Sequence, residues 1–163
     1  LIELPGVDFV IFREDEKVML KSARGGAQID RRVPNAYRNQ SIGNDPLELQ
    51  AYLNLLKQEG KVGEDGFVDA ADWFAKTNHH RYPNVVVNLH NSLFTKRVKH
   101  TADILVSLHD GYYYGWAPFG RFVRLAATHG NALAGSSNAF LMSTHRTLPE
   151  CVSADDAKPF LQE

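Results

Sequence analysis

Apolar and polar positions alternate differently in each third of the chain. Asp8-Phe9-Val10-Ile11-Phe12-Arg13 is a short apolar block of the kind that forms a strand buried on both faces. Acidic Glu14-Asp15-Glu16 marks a turn, Val18-Met19-Leu20 resumes as a second strand, and Gly25-Gly26 interrupts before Ala27-Gln28-Ile29-Asp30. The first third therefore reads as a hairpin or meander. In the middle third the period changes to that of a helix. Asp45-Pro46-Leu47-Glu48 offers an N-cap, a proline at the first helical position and a glutamate at the third. Leu49, Tyr52, Leu53 and Leu56 follow at helical spacing, with Gly60 as the stop. A second start lies at Asp69, with Asp72 three residues on and Val68 placed to staple against Trp73, in a helix running to about Thr77. After Tyr82-Pro83, the positions Val85, Val86, Leu89 and Leu93 favour a third helix, although Val85-Val86-Val87 also suits a strand.

Strands return in the last third. Ile104 to Leu108 alternates before an Asp110-Gly111 turn, Phe122 to Ala127 leads into Thr128-His129-Gly130, and Phe140-Leu141-Met142-Ser143 reads as another buried strand. Strands, then helices, then strands imply α/β or α+β packing. No low-complexity linker divides residues 1–163, so the chain reads as one domain or the C-terminal portion of a larger one.

Composition narrows the partners. The 163 residues are 44% hydrophobic and carry 18 basic against 19 acidic side chains, a net charge of −1. That balance lacks the basic stripe expected of a duplex nucleic-acid binder. The longest apolar runs, Phe9–Phe12 and Ala139–Met142, fall far short of the about 20 residues a spanning helix needs, so no membrane span is expected. Cys151 is the single cysteine, which excludes an internal disulfide and a thiolate-rich zinc site. No signal peptide is visible, making soluble, cytoplasmic the default location, but the chain starts Leu1-Ile2 without methionine and reads as processed or as part of a longer protein.

There is no phosphate loop, no G-x-G-x-x-G fingerprint, no G-x-S-x-G elbow and no H-E-x-x-H pair. Of the seven histidines, His79-His80 follows a helix end, His90 and His100 read as part of a solvated basic face with Lys96, Arg97 and Lys99, and His109 ends a strand without a visible partner. His129 stands apart. It sits between the strand end Leu125-Ala126-Ala127 and a loop of small and polar residues, with Gly130 letting the backbone turn directly after it, a setting suited to a metal ligand.

Ala127-Thr128-His129-Gly130 followed by Ala139-Phe140-Leu141-Met142 resembles the C-terminal histidine segment of the alkaline phosphatase superfamily, in particular its type I phosphodiesterase and nucleotide pyrophosphatase branch. Pro5–Arg13, Ser22–Gly25, Gly43–Leu47, Tyr82–Asn84 and Ala102–Val106 before Gly111-Tyr112 resemble the same group. Asn138-Ala139 stands where a proline is common in that family. The resemblance implies a partial alkaline phosphatase-like α/β domain with a β-rich N-terminal third, a helical middle and returning strands. It implies His129 as a metal ligand supported by Thr128 and Gly130, in a complete enzyme that holds two zinc or manganese ions and hydrolyses phosphate esters. The Thr or Ser nucleophile and the other ligand segments have no counterpart here, so the isolated chain is expected to be inactive, with at most one partial metal site. Its partners would be the missing N-terminal segment and a phosphate-ester substrate, with Tyr112, Tyr114 and Trp116 as candidates for the cleft wall. The alternative is a non-catalytic binding module. A fold cut from a larger domain would also expose apolar surface, and either self-associate or have that surface filled by its own N-terminal hairpin, with Phe9–Phe12 and Ala139–Met142 beside the open edge.

Overall fold

A computed structural model describes residues 1–94, 99–113 and 131–161. The chain is mixed α/β. Strands β1 (Val7–Glu14), β2 (Lys17–Lys21), β3 (Gly25–Arg32) and β4 (Ala36–Gly43) are followed by helix α1 (Gln50–Gln58), the short strand β5 (Val68–Asp69), α2 (Ala70–Thr77), α3 (Val85–Phe94) and strand β6 (Ile104–Leu108). Two single-turn helices come later, α4 (Ala134–Ser137) and α5 (Lys158–Leu161).

The strands form one six-stranded sheet in the order β5-β4-β3-β2-β1-β6, every neighbouring pair antiparallel. The meander expected over residues 8–30 is present and runs one strand further, through β4. Ile11 pairs with Leu20 and Leu20 with Ala27, so their side chains share one face, and α3 lies across β1 to β4. Phe9, Ile11, Val18, Leu20, Ala27, Ile29 and Tyr37 are buried there with Leu56, Trp73, Val86 and Leu93 from the helices. Each such large apolar side chain contributes about 1.5–3 kcal/mol relative to exposure. Because β1 lies between β2 and β6, the Phe9–Phe12 run is interior to the sheet, contrary to its expected place beside an open edge.

The helix signals are satisfied with one displacement. Asp45 accepts backbone hydrogen bonds from Leu47 (3.1 Å), Leu49 (2.6 Å) and Gln50 (2.9 Å), so it serves the free amides ahead of a helix that starts only at Gln50. Glu48, with φ of 57°, is not helical, and the expected proline-first turn is instead a loop. At the other end Gly60 (φ 68°) donates to the Lys57 carbonyl and Lys61 to that of Leu56, the paired bonds of a Schellman stop. Asp69 caps α2 through the Ala71 amide (2.8 Å), and Trp73 Nε1 donates to the Tyr37 carbonyl (3.1 Å), locking α2 to β4.

The expected strand at Phe140–Ser143 is absent. Phe140 and Met142 are 85% and 81% exposed in irregular backbone. An apolar run becomes a strand only where it pairs with a sheet edge, and residues 140–143 pair with neither end strand, β5 nor β6. Among the described residues no helix is long and apolar enough to cross a membrane.

Candidate functional site

The register between β1 and β6 slips once. Val7 pairs with Leu108 and Phe9 with Ser107, so Asp8 is the extra residue of a β-bulge. Regular alternation would send the Asp8 side chain to the face opposite Phe9. Here both meet Tyr82: its ring lies edge-on to Phe9 at 5.8 Å, and its hydroxyl donates to Asp8 Oδ2 at 2.9 Å and Oδ1 at 3.1 Å. Asp8 is 4% exposed. Burial and the neighbouring Asp8 carboxylate push the Tyr82 phenol up to about 12, so the hydroxyl keeps its proton as a donor.

Cations close the cluster. The turn between β2 and β3 is fixed by Ser22, whose hydroxyl donates to the Gly25 carbonyl and accepts from the Arg24 amide. Arg24 then reaches inward, with Nη2 at 4.0 Å from Asp8 Oδ1 and 3.1 Å from the Pro46 carbonyl, and Nη1 at 2.7 Å from Glu48 Oε1. Arg81 lies 3.7 Å from the same Glu48 oxygen and stacks over the Tyr82 ring. The Arg24 hydrogen bond holds the Glu48 carboxyl below its ordinary range and raises Arg24 in turn. His80, just before Arg81, is buried, and its Nδ1 accepts from the Tyr82 amide (3.0 Å).

His109 completes the arrangement at the end of β6. Its amide donates to the Gly6 carbonyl (2.9 Å), and its Nδ1 lies 3.7 Å from Asp8 Oδ1, longer than a hydrogen bond but within ion-pair range. His109 lines a cavity of about 350 Å³ with Arg81, Asp110 and Leu133–Gly135. A second cavity of about 390 Å³, bounded by Phe9, Ile11, Leu89, Leu105 and Ala132 among others, lies on the apolar side of residues 131–137. Asn131 Nδ2 donates to Asp110 Oδ1 (3.1 Å), fastening that shared wall to the end of β6.

The expected site residues His129, Thr128, Gly130, Tyr114 and Trp116 lie outside the described residues. Tyr112 is described and half-exposed. Its ring packs on Gly6 so closely that a Cβ there would meet it at 2.2 Å, and it borders neither cavity. Asp8, Arg24, Glu48 and Tyr82 were not expected as site residues, and the sequence marks His109 only by its place at a strand end without a visible partner. The other local signal was an isolated aspartate opening an apolar strand. His90, expected on a solvated face, is instead buried, stacked on Phe94 at 4.6 Å and edge-on to Tyr37 at 5.5 Å. Burial lowers its imidazole to about 4, with the Arg31 cation adding to the effect.

Among the described residues no group of three or more His, Cys, Asp or Glu side chains is placed to hold a metal ion. Those residues do not by themselves fit the implied zinc or manganese. What they do form is a buried carboxylate that accepts the Tyr82 hydroxyl, with Arg24 and His109 within ion-pair range and His109 lining a cavity. Comparisons with family models, with curated proteins and with solved structures return no match for this chain.

Proposed function

We propose that this chain is the C-terminal portion of a metal-dependent phosphodiesterase or phosphatase, with His129 as a metal ligand. One observation carries the reading. The separate stretches on which the family resemblance rests converge on one corner of the fold: Pro5–Arg13 supplies Asp8, Ser22–Gly25 supplies Arg24, Gly43–Leu47 supplies the Pro46 carbonyl, Tyr82–Asn84 supplies Tyr82, and Ala102–Val106 and Gly111-Tyr112 bracket His109. Asn131, two residues beyond His129 in sequence, is bonded to Asp110, which lines the His109 cavity. A bound metal would polarise a phosphoryl oxygen. The described residues supply a different share: Asp8 and Tyr82 hold His109 in place, and Arg81 brings positive charge to the cleft.

The test is to extend the reading frame upstream of Leu1, express its product and assay a nitrophenyl phosphate ester with zinc or manganese. We expect a D-x-x-x-H segment and a Thr or Ser nucleophile upstream, turnover by the longer product, and a loss of at least about tenfold on His129→Ala. No turnover, or turnover indifferent to His129→Ala, overturns the reading.

A second reading, a non-catalytic module that binds a partner, is favoured by the exposed Tyr112, Tyr113, Phe140 and Met142. It predicts an inert longer product and concentration-dependent association in light scattering that Phe140→Ser with Met142→Ser abolishes.

A further inference from the structure

We infer that His109 is the proton donor to the leaving group in phosphate-ester hydrolysis, with Asp8 as its positioning residue; this rests on the phosphoesterase reading but assigns roles that reading does not need.

The argument begins with the bulge. It spends one residue of β1 to put a carboxylate, 1% exposed at its side chain, beneath an imidazole that is 44% exposed. Bulges beside active sites re-aim a side chain in this way. The Tyr82 hydroxyl donates to both carboxylate oxygens, so Asp8 cannot turn away from the ring without losing those bonds. Nδ1 is the ring nitrogen within ion-pair range of Asp8, so Nε2 is the nitrogen assigned to the leaving group, the division of labour a carboxylate imposes on a catalytic histidine. Asp8 from β1 lies within ion-pair range of the ring, Arg81 and Asp110 line the same cavity as the ring, and in turn Arg24 lies 4.0 Å from Asp8 while Glu48 pairs with both Arg24 and Arg81.

The step balances without an added reagent. The nucleophile hydroxyl of the complete enzyme gives its proton to solvent as its oxygen bonds to phosphorus, and the bond from phosphorus to the leaving oxygen breaks with its electron pair staying on that oxygen. The leaving oxygen takes the proton from Nε2 of the ring and departs as an alcohol. Water then attacks the phospho-enzyme, its proton returns to the ring, phosphate leaves, and the freed nucleophile oxygen regains a proton from solvent.

Leaving groups separate this role from a structural one. Nitrophenolate departs without a proton, whereas an alkoxide needs one. In the product of the extended reading frame, His109→Gln is expected to lower kcat for an alkyl phosphate ester by about a hundredfold while changing kcat for the nitrophenyl ester less than threefold. Asp8→Asn is expected to redistribute His109 between its tautomers, read from the ring ¹⁵N shifts of the 163-residue chain, and to produce a milder version of the same leaving-group split. Equal losses on both esters in His109→Gln, with turnover still dependent on His129, overturn this inference and leave the phosphoesterase reading standing. An unchanged alkyl-ester rate, or ¹⁵N shifts identical in Asp8→Asn, also overturns it. No hydrolysis of either ester by the wild type overturns both.

Discussion

Two polar side chains are buried against the same helical layer, and the fold treats them in opposite ways. At the β1–β6 side Asp8 is surrounded by partners: the Tyr82 hydroxyl, Arg24 and His109. At the β4 side His90 sits between Tyr37 and Phe94, and its Nδ1 finds no hydrogen-bond partner among the described residues. The first group is buried with its charge met. The second is buried by being kept neutral. A group kept neutral by apolar rings is a packing residue that acid can attack, whereas a carboxylate held among donors beside a cleft is equipped to act on a neighbour.

The sharpest break of this comparison is acid. The folded-state pKa of His90, about 4, lies below its ordinary value of 6.5. As pH falls through 6.5 the unfolded chain takes up a proton that the folded chain refuses, so the stability His90 permits is full above 6.5 and declines down to about pH 4. At 1.36 kcal/mol per unit the loss amounts to about 3 kcal/mol. Urea midpoints at pH 7.5 and 4.5 should differ accordingly, and His90→Leu should remove that share of the difference. A variant with the full wild-type slope would show that His90 is not the group involved.

The next effect belongs to Asp8. Asp8→Ala strands the buried Tyr82 hydroxyl, at a cost of about 2 kcal/mol, whereas Asp8→Asn keeps an acceptor and should cost less. Equilibrium unfolding at pH 7 distinguishes them, and equal losses would show that charge rather than hydrogen bonding holds this corner. His90→Leu at the same pH should move stability by less than about 1 kcal/mol, since it exchanges an unpartnered nitrogen for apolar volume. The smallest effect is expected from Glu48→Gln. Its link to Arg24 is short but half-exposed, and such pairs contribute about 0.2–1 kcal/mol, a difference that added salt should erase.

What could be read in the sequence follows the range of the forces involved. Helices α1, α2 and α3 announce themselves because caps and 3.6-residue spacing act over a few residues: Asp69 and Gly60 do as their positions suggest. Asp45 also bonds the amides ahead of α1, but the left-handed Glu48 delays the helix to Gln50, a choice made by its contact with Arg24 across the fold. Strand β4 went unannounced because Ala36-Tyr37-Arg38-Asn39-Gln40-Ser41 has little apolar alternation, and it is held by its ladder to β3. Phe140–Met142 has the composition of a strand but pairs with neither end strand of the sheet. The candidate site was the least legible part. Asp8 and Tyr82 are 74 residues apart, and no local spacing reports their meeting. The mixed α/β class was visible in the order of periods, while the alkaline phosphatase-like architecture remains part of the proposal.

The β1–β6 bulge also separates two instructions that proteins usually write in the same letters. Val7 and Phe9 already pair with adjacent residues of β6, so deleting Asp8 would leave every rung of that ladder with its present partner. One codon therefore encodes the site's anchoring carboxylate while its neighbours encode the sheet. A three-base deletion could remove that carboxylate while leaving the β1–β6 pairing in place, which separates the buried acid from the strand that carries it.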